Sequence, residues 1–181
     1  DGSVGYYQTV NKTTPVAGDV KYVDRNGDGV VDDNDRDIIG NPNPDFTYGF
    51  QTKVSWKSLS LSASFNGVQG RDILNVGNRY NNTPGTKSNN VTRKAFQNMW
   101  TDENPSNLYP KSTFVVQNMV MDRYVEDGSY LRCSDITLSY VLPAKWTNKI
   151  GIKNTSVYAS VKNAFVITDY SGYDPEVNSF A

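Results

Sequence analysis

Two adjacent stretches of the chain alternate between large and small side chains, and this alternation limits the possible folds more than any other feature. In residues 46–56, one face would carry Phe46, Tyr48, Phe50, Thr52, Val54 and Trp56. In the next stretch, serines alternate with Leu59, Leu61, Ala63 and Phe65. A period of two is that of a β-strand. Because only Lys57 and Ser58 separate the stretches, they predict an antiparallel hairpin.

The same alternation recurs in residues 129–142 and 155–168, so the sequence predicts an all-β, antiparallel fold. In the third strand, Ile136, Leu138, Tyr140 and Leu142 are expected on the face opposite Cys133, Asp135, Thr137 and Ser139. A soluble sandwich has such two-faced strands, and so does a transmembrane β-barrel with its apolar face toward lipid. Aromatic residues at the strand ends favour the barrel, because aromatic side chains collect at membrane interfaces.

Composition excludes several classes of protein. The 181 residues contain no histidine and one cysteine, and the net charge is −1. Catalysis by histidine, histidine-bound metals and disulfide frameworks are therefore ruled out, and no basic field attracts nucleic acid. The Asp and Glu residues form no paired motif for a glycosidase, so we do not expect an enzyme. The sequence contains no apolar run of about 18 residues, so it predicts no membrane-spanning helix.

Residues 24–35 have the residue spacing of a calcium-binding loop. Side-chain oxygens recur at alternate positions, and Gly29 stands at the sixth position, where the loop must turn sharply. Ca²⁺ prefers oxygen ligands in such an arrangement. The predicted ligands, with Val30 contributing its backbone carbonyl, are Asp24, Asn26, Asp28, Val30, Asp32 and Asp35.

A solvated turn rich in Asp, Asn and Gly is the alternative interpretation of this loop. Asp35 at the twelfth position has a shorter reach than the glutamate of an EF-hand, which lowers the expected affinity for Ca²⁺. Residues 33–39 could form one helical turn, but no helix precedes the loop. A structural rather than a signalling role for bound Ca²⁺ is therefore expected.

Long polar connections separate the predicted hairpins. Residues 1–45, 67–128 and 169–181 are predicted to be such connections, whereas hairpins are expected in residues 46–66 and 129–168. Within the second connection, residues 91–100 predict a short helix with Asn90 as N-cap, and a small local core is expected from Ala95, Phe96, Met99 and Trp100. In an outer-membrane barrel, long loops are extracellular and short turns periplasmic.

Several ordered motifs resemble the SusC/RagA family of TonB-linked outer-membrane transporters. The resemblance begins with residues 18–36 and with the run from Ile39 to Phe50, which reads IGNPNPDFTYGF. It continues, in the same order along the chain, through residues 69–73, 100–105, 127–132 and 170–176. The motifs span nearly the whole sequence.

This resemblance implies that the chain is the C-terminal barrel portion, the last strands of a 22-stranded barrel in the outer membrane of Bacteroidetes-type, Gram-negative bacteria. It further implies the import of oligosaccharides or other large nutrients, a SusD-like surface lipoprotein as partner, and energy from the TonB complex acting on a plug. The plug and a final strand are expected to lie outside this chain. The remaining alternative is a secreted, calcium-stabilised β-rich module that binds glycan or protein.

Overall fold

A computed structural model describes residues 16–82, 90–112, 120–152 and 154–176. The strands are β1 (Phe46–Trp56), β2 (Leu59–Gln69), β3 (Asp72–Leu74), β4 (Val125–Asp127), β5 (Tyr130–Val141) and β6 (Ser156–Thr168). The α-helices are α1 (Val76–Asn82), α2 (Arg93–Asn98) and α3 (Ala144–Thr147). Short 3-10 turns lie at Asp33–Asp35, Asp122–Tyr124 and Asn148–Ile150. In these described ranges, no helix is long and apolar enough to cross a membrane.

Four long strands form one antiparallel sheet in the order β1-β2-β5-β6. Lys57 and Ser58 alone connect β1 to β2, and Lys57 adopts a positive φ of 53° that the tight turn requires. The register pairs Val54 with Leu61, and Leu61 in turn pairs with Leu138 of β5. Apolar residues therefore face apolar residues in this row across β1, β2 and β5, as the alternation in the sequence predicts.

A β-bulge overturns one expectation for β5. The register of β5 shifts between Cys133 and Asp135, and Cys133 pairs with Phe65 on one side and with Phe165 on the other. Cys133 therefore lies on the apolar face, and its placement opposite Ile136 was wrong. An extra residue in one strand reverses the alternation beyond it, because two residues then oppose one on the neighbouring strand.

The chain divides into two compact units. Among the described residues, one unit consists of Gly40–Ile73 together with residues 126–152 and 154–176, and contains the four-stranded sheet. The other consists of residues 16–39 together with the described part of residues 74–125. Strands β3 and β4 pair with each other in a separate two-stranded sheet.

The unit without the four-stranded sheet has its own small core. Its buried apolar side chains include Val31, Ala95, Met121 and Tyr124. The Gly18 carbonyl accepts a hydrogen bond from the Lys111 N–H at 2.9 Å. Lys111 also pairs with Asp19 at 3.1 Å, which holds the segment before the acidic loop against the segment after α2.

Helix α2 is shorter than the sequence suggests. It begins after Thr92, whose hydroxyl accepts a hydrogen bond from the Ala95 N–H at 3.2 Å, so Thr92 and not Asn90 is the N-cap. Ala95 is fully buried, as expected of a core residue, but Phe96 is exposed. The helical turn expected in residues 33–39 is likewise reduced to Asp33–Asp35, because Arg36 is already extended.

Candidate functional site

The apolar face of the four-stranded sheet is open along most of its length. Val54 and Val161, on the two edge strands, keep 63% and 56% of their surfaces exposed. The same face continues through Phe50, Leu61, Leu138, Val157 and Ile167, all of which are exposed. A contiguous apolar surface of this kind marks contact with lipid or with another protein.

The dimensions of the sheet match a membrane. Eleven residues of β1, at about 3.4 Å each, span about 37 Å. A tilt of about 45° reduces this length to a height of about 26 Å, close to the apolar band of outer-membrane barrels. Aromatic residues lie at both limits of the band: Trp56 and Tyr140 at the short turn, and Phe46 and Tyr48 at the opposite end.

An aromatic row crosses the apolar face near its middle. The rings of Phe50 and Phe65 stack with centroids 4.6 Å apart, and Phe65 lies 6.4 Å from Phe165. Cys133 lies between Phe65 and Phe165 in the register and is fully buried. The small thiol at the bulge therefore makes room for the two large rings on its neighbouring strands.

The opposite face of the sheet is polar. The Ser55 and Ser60 hydroxyls lie 2.9 Å apart across the β1–β2 pair. On β5, the Asp135 carboxylate accepts hydrogen bonds from Thr137 at 2.8 Å and from Ser160 at 3.3 Å. The Lys162 ammonium lies 3.1 Å from the same carboxylate. Serines, threonine and an ion pair suit a water-filled interior rather than a packed core.

A charged cluster lies on this polar face, at the end of the sheet opposite the short β1–β2 turn. Arg132 of β5 is almost fully buried and pairs with Asp174 through Nη2 at 2.6 Å. Its Nε lies 3.2 Å from Glu176, an ion pair without hydrogen-bond alignment. The Glu176 carboxylate also accepts hydrogen bonds from the Tyr130 hydroxyl at 2.7 Å and from the Asn66 amide at 3.0 Å.

Hydrogen bonds hold Asp174 of this cluster in its ionised form. The backbone N–H of Glu176 and then the Arg132 guanidinium lower the pKa of the Asp174 carboxyl, and its partial burial only partly opposes them. Arg132 and Asp174 belong to two separate sequence motifs, and their separation of 42 residues leaves no local pattern that joins them. The sequence signal that could have found the cluster is the complementary charge of Arg132 in one motif and of Asp174 and Glu176 in the other.

The acidic loop folds around its first residue. The two oxygens of Asp24 accept hydrogen bonds from the Gly27 N–H at 2.7 Å and the Gly29 N–H at 2.8 Å. Gly27 and Gly29 both have positive φ, 74° and 83°, which favours glycine at these positions. Asp24 is buried, so the first predicted ligand lies inside the loop.

Asp35 closes the loop at its other end. One carboxylate oxygen accepts from the Arg25 N–H at 2.8 Å, and the other accepts from the Asp32 N–H at 2.7 Å. The Asp32 N–H is the main cause of the lowered pKa of Asp35, and the N–H groups of Arg25 and Asn26 add to it. The twelfth position of the loop is thus held beside the first three.

The remaining predicted ligands lie within the same loop. Asn26 donates to Asp28 at 3.0 Å, Asp28 accepts from the Val30 N–H at 2.8 Å, and Asp32 accepts from the Asn34 N–H at 2.7 Å. Over the described ranges, no three acidic or thiol side chains are gathered into a ready metal cluster. The donor chemistry and the closed loop nevertheless fit a hard cation such as Ca²⁺, which would compete with backbone N–H groups for these oxygens.

The chain is similar to several curated TonB-dependent receptors. It is 34% identical over 170 residues to a TonB-dependent receptor of Formosa agariphila, a match that covers 91% of this chain and 17% of that protein. It is also 34% identical over 165 residues to the TonB-dependent receptor SusC of Bacteroides thetaiotaomicron, with 87% and 15% covered. The chain therefore spans about a sixth of the length of these relatives.

Solved structures give the same result. The RagAB peptide importer in its closed-closed state matches with a TM-score of 0.66 and 30% identity, over 76% of this chain and 15% of that chain. The open-open state of the same importer matches with a TM-score of 0.61. No protein-family model matches the sequence. The fold of this chain thus has counterparts among importers of known structure.

Proposed function

The chain belongs to the SusC/RagA family of TonB-dependent receptors, and we propose that it forms part of the wall of a channel that imports large nutrients across the outer membrane. The fold is a fragment of an antiparallel transmembrane β-barrel. Its location is the outer membrane, where the receptors of this family form β-barrels.

One observation carries the proposal: the sheet has an open apolar face and a hydroxyl-lined polar face. Lipid covers the first without any loss of hydrogen bonds, because every polar backbone group of a closed barrel is paired between strands. Water and passing cargo contact the polar face. The secreted β-module is disfavoured, because Val54, Leu61 and Val161 would then be exposed to water.

Partners follow from the family. We propose a SusD-like surface lipoprotein over the extracellular end, and a TonB complex that acts on a plug within the barrel. The cargo is a large nutrient, and oligosaccharide is the cargo we favour, since Tyr80 and Tyr173 expose aromatic rings on the connections. Peptide is the alternative cargo, supported by the likeness to the RagAB peptide importer. We propose no catalytic role.

Isolation of the full-length protein from outer membranes in mild detergent tests this function. A surface lipoprotein should co-purify with it, and deletion of the receptor gene should abolish growth on one class of large nutrient while growth on monosaccharides and amino acids continues. Growth lost on peptides rather than oligosaccharides would correct the cargo alone. A full-length protein recovered from the medium, with no lipoprotein bound, would contradict the function.

We further propose that the loop of residues 24–35 binds Ca²⁺ in a structural role. Asp24, Asn26, Asp28, Asp32 and Asp35 would supply side-chain oxygens, and Val30 its carbonyl. The support is the alternating oxygen donors, the positive φ of Gly29 and the closure of the loop by Asp35. Binding of Ca²⁺ would stabilise this conformation of the loop, because the site does not exist in the unfolded chain.

Calorimetry of Ca²⁺ binding to the full-length receptor tests the loop. Asp28→Ala should weaken binding by about tenfold or more, because the loss of a charged ligand lowers affinity strongly. Asp33→Ala is the matched control, since Asp33 lies in the same loop but pairs with Arg36 at 2.8 Å and is not a predicted ligand. Equal heats for the parent protein and the Asp28 variant would show that the loop is a plain turn.

A further inference from the structure

The segment after β6, residues 169–176, is fastened at both of its ends: near its start to β4, and near its end to the polar face of the four-stranded sheet. We call this segment the strap. Near its start, Glu126 accepts hydrogen bonds from the Ser171 N–H at 2.8 Å and the Ser171 hydroxyl at 2.9 Å. Near its end, Asp174 and Glu176 pair with Arg132. A short segment held in this way has little freedom to leave the sheet.

Every strand residue that holds the far end of the strap belongs to the polar face. Asn66 pairs with Arg132 in the β2–β5 register, and Tyr130 lies two residues before Arg132 on the same side of β5. Their side chains bind Glu176. The apolar face lies on the other side of the strands and takes no part in these contacts. The strap is therefore on the side of the wall that faces the barrel interior.

The strap itself is shaped for this position. Pro175 is buried, and a side chain in place of Gly172 would overlap the ring of Tyr170. Between these fixed points, Tyr173 is fully exposed. The segment thus leaves one aromatic ring exposed between two closely packed positions. Tyrosine suits transient contacts, because it offers a large amphipathic surface at a low cost in conformational entropy.

We propose that the strap is an internal element of the import path, fastened against the inner wall by the Arg132 clamp, and that its exposed Tyr173 faces passing cargo. This proposal rests on the proposed function, since an interior exists only in a closed barrel. It refines the sequence-based expectation that residues 169–181 form an extracellular loop: the strap lies at the end of the sheet opposite the short β1–β2 turn, but against the inner face. The strap narrows the passage where it lies. It stays against the inner wall as long as Arg132 holds Asp174 and Glu176.

Labelling of full-length receptor in intact cells with a bulky polyethylene-glycol maleimide tests the strap. Tyr173→Cys should react about tenfold more slowly than Phe96→Cys, which lies on the exposed surface of α2. Adding Arg132→Met should release the strap and remove most of this difference. Arg123→Met is the matched control, because Arg123 is exposed and donates to the Leu108 carbonyl rather than to a strap residue. Cys133 is fully buried and sets the background.

The outcomes separate the two proposals. Rapid labelling of the Phe96→Cys variant with slow labelling of the Tyr173→Cys variant supports the strap, and equally rapid labelling of both overturns it. Failure of the Phe96→Cys variant to react in intact cells, although it reacts after denaturation, contradicts the outer-membrane topology instead. If Arg132→Met does not assemble, the double variant Asp174→Asn, Glu176→Gln removes the charges from the strap side. An unchanged labelling rate at position 173 in that background would then overturn the clamp.

Discussion

Replacement of Val161 by lysine is expected to destabilise the folded full-length receptor by about 2–4 kcal/mol, the cost of a lysine near the midplane on the lipid face of a barrel. Val161 lies at the middle of β6, pairs with Ile136 and is exposed on the apolar face. In lipid, the ammonium group must either lose its hydration or draw water into the bilayer. The measurement is urea unfolding of the receptor in phospholipid vesicles.

Ser62→Lys is the matched control for this prediction. Ser62 lies on the polar face, where it pairs with Lys53 and Thr137, and the chain already carries an exposed lysine on that face at residue 162. Its free energy of unfolding should fall by less than about 1 kcal/mol, since the new ammonium group stays in water and meets only the screened repulsion of Lys53 on the neighbouring strand. A larger loss for Ser62→Lys than for Val161→Lys would reverse the assignment of the two faces.

Arg132→Met is expected to cost about 1–3 kcal/mol of stability. Loss of one partner of a fully buried ion pair costs about 3–5 kcal/mol. We expect less here, because Asp174 and Glu176 are 39% and 42% exposed and water solvates them once the arginine is gone. Methionine preserves most of the side-chain volume, so the change reports lost pairing rather than a cavity. Hydrogen exchange of residues 170–176 measures it locally.

The pH dependence of this clamp has a defined sign. The pKa of Asp174 is lowered below the ordinary 3.8 in the folded protein. The stabilisation is therefore fully present above that value, and it is lost as pH falls through the lower folded value. Protection of residues 170–176 from hydrogen exchange should decrease in this acidic range. Arg132→Met should weaken this dependence of the protection on pH. A slope that is equally steep in the variant would show that Arg132 is not the partner that matters.

The strands were predictable because their signal is local. Bulky and small side chains alternate along β1 and β2, so many neighbouring positions indicate the same secondary structure. The bulge at Cys133 was not predictable, since one inserted residue reverses the alternation without changing the residue types. The N-cap of α2 was wrongly predicted at Asn90, because Thr92, which caps the helix in the structure, is also a residue type that favours this position.

The two candidate sites also differ in how far apart their residues lie in the sequence. The acidic loop lies within twelve consecutive residues, so its spacing was visible in the sequence; its role as a Ca²⁺ site stays a prediction, since Asp24 and Asp35 accept hydrogen bonds from backbone N–H groups of the loop. The Arg132 clamp joins β5 to a segment beyond β6, and only the fold brings them together. Long-range ion pairs leave no periodic trace in a sequence, although the complementary charges were visible in both motifs.

The most direct test of the barrel wall is the environment of consecutive residues along one strand. Nitroxide labels placed singly at Leu59, Ser60, Leu61 and Ser62 of the full-length receptor in lipid vesicles report collisions with oxygen, which dissolves in lipid, and with a water-soluble nickel complex. We predict strict alternation, with Leu59 and Leu61 open to oxygen and Ser60 and Ser62 open to nickel. Nickel access at all four positions would contradict a lipid-facing wall and indicate a water-soluble β-module.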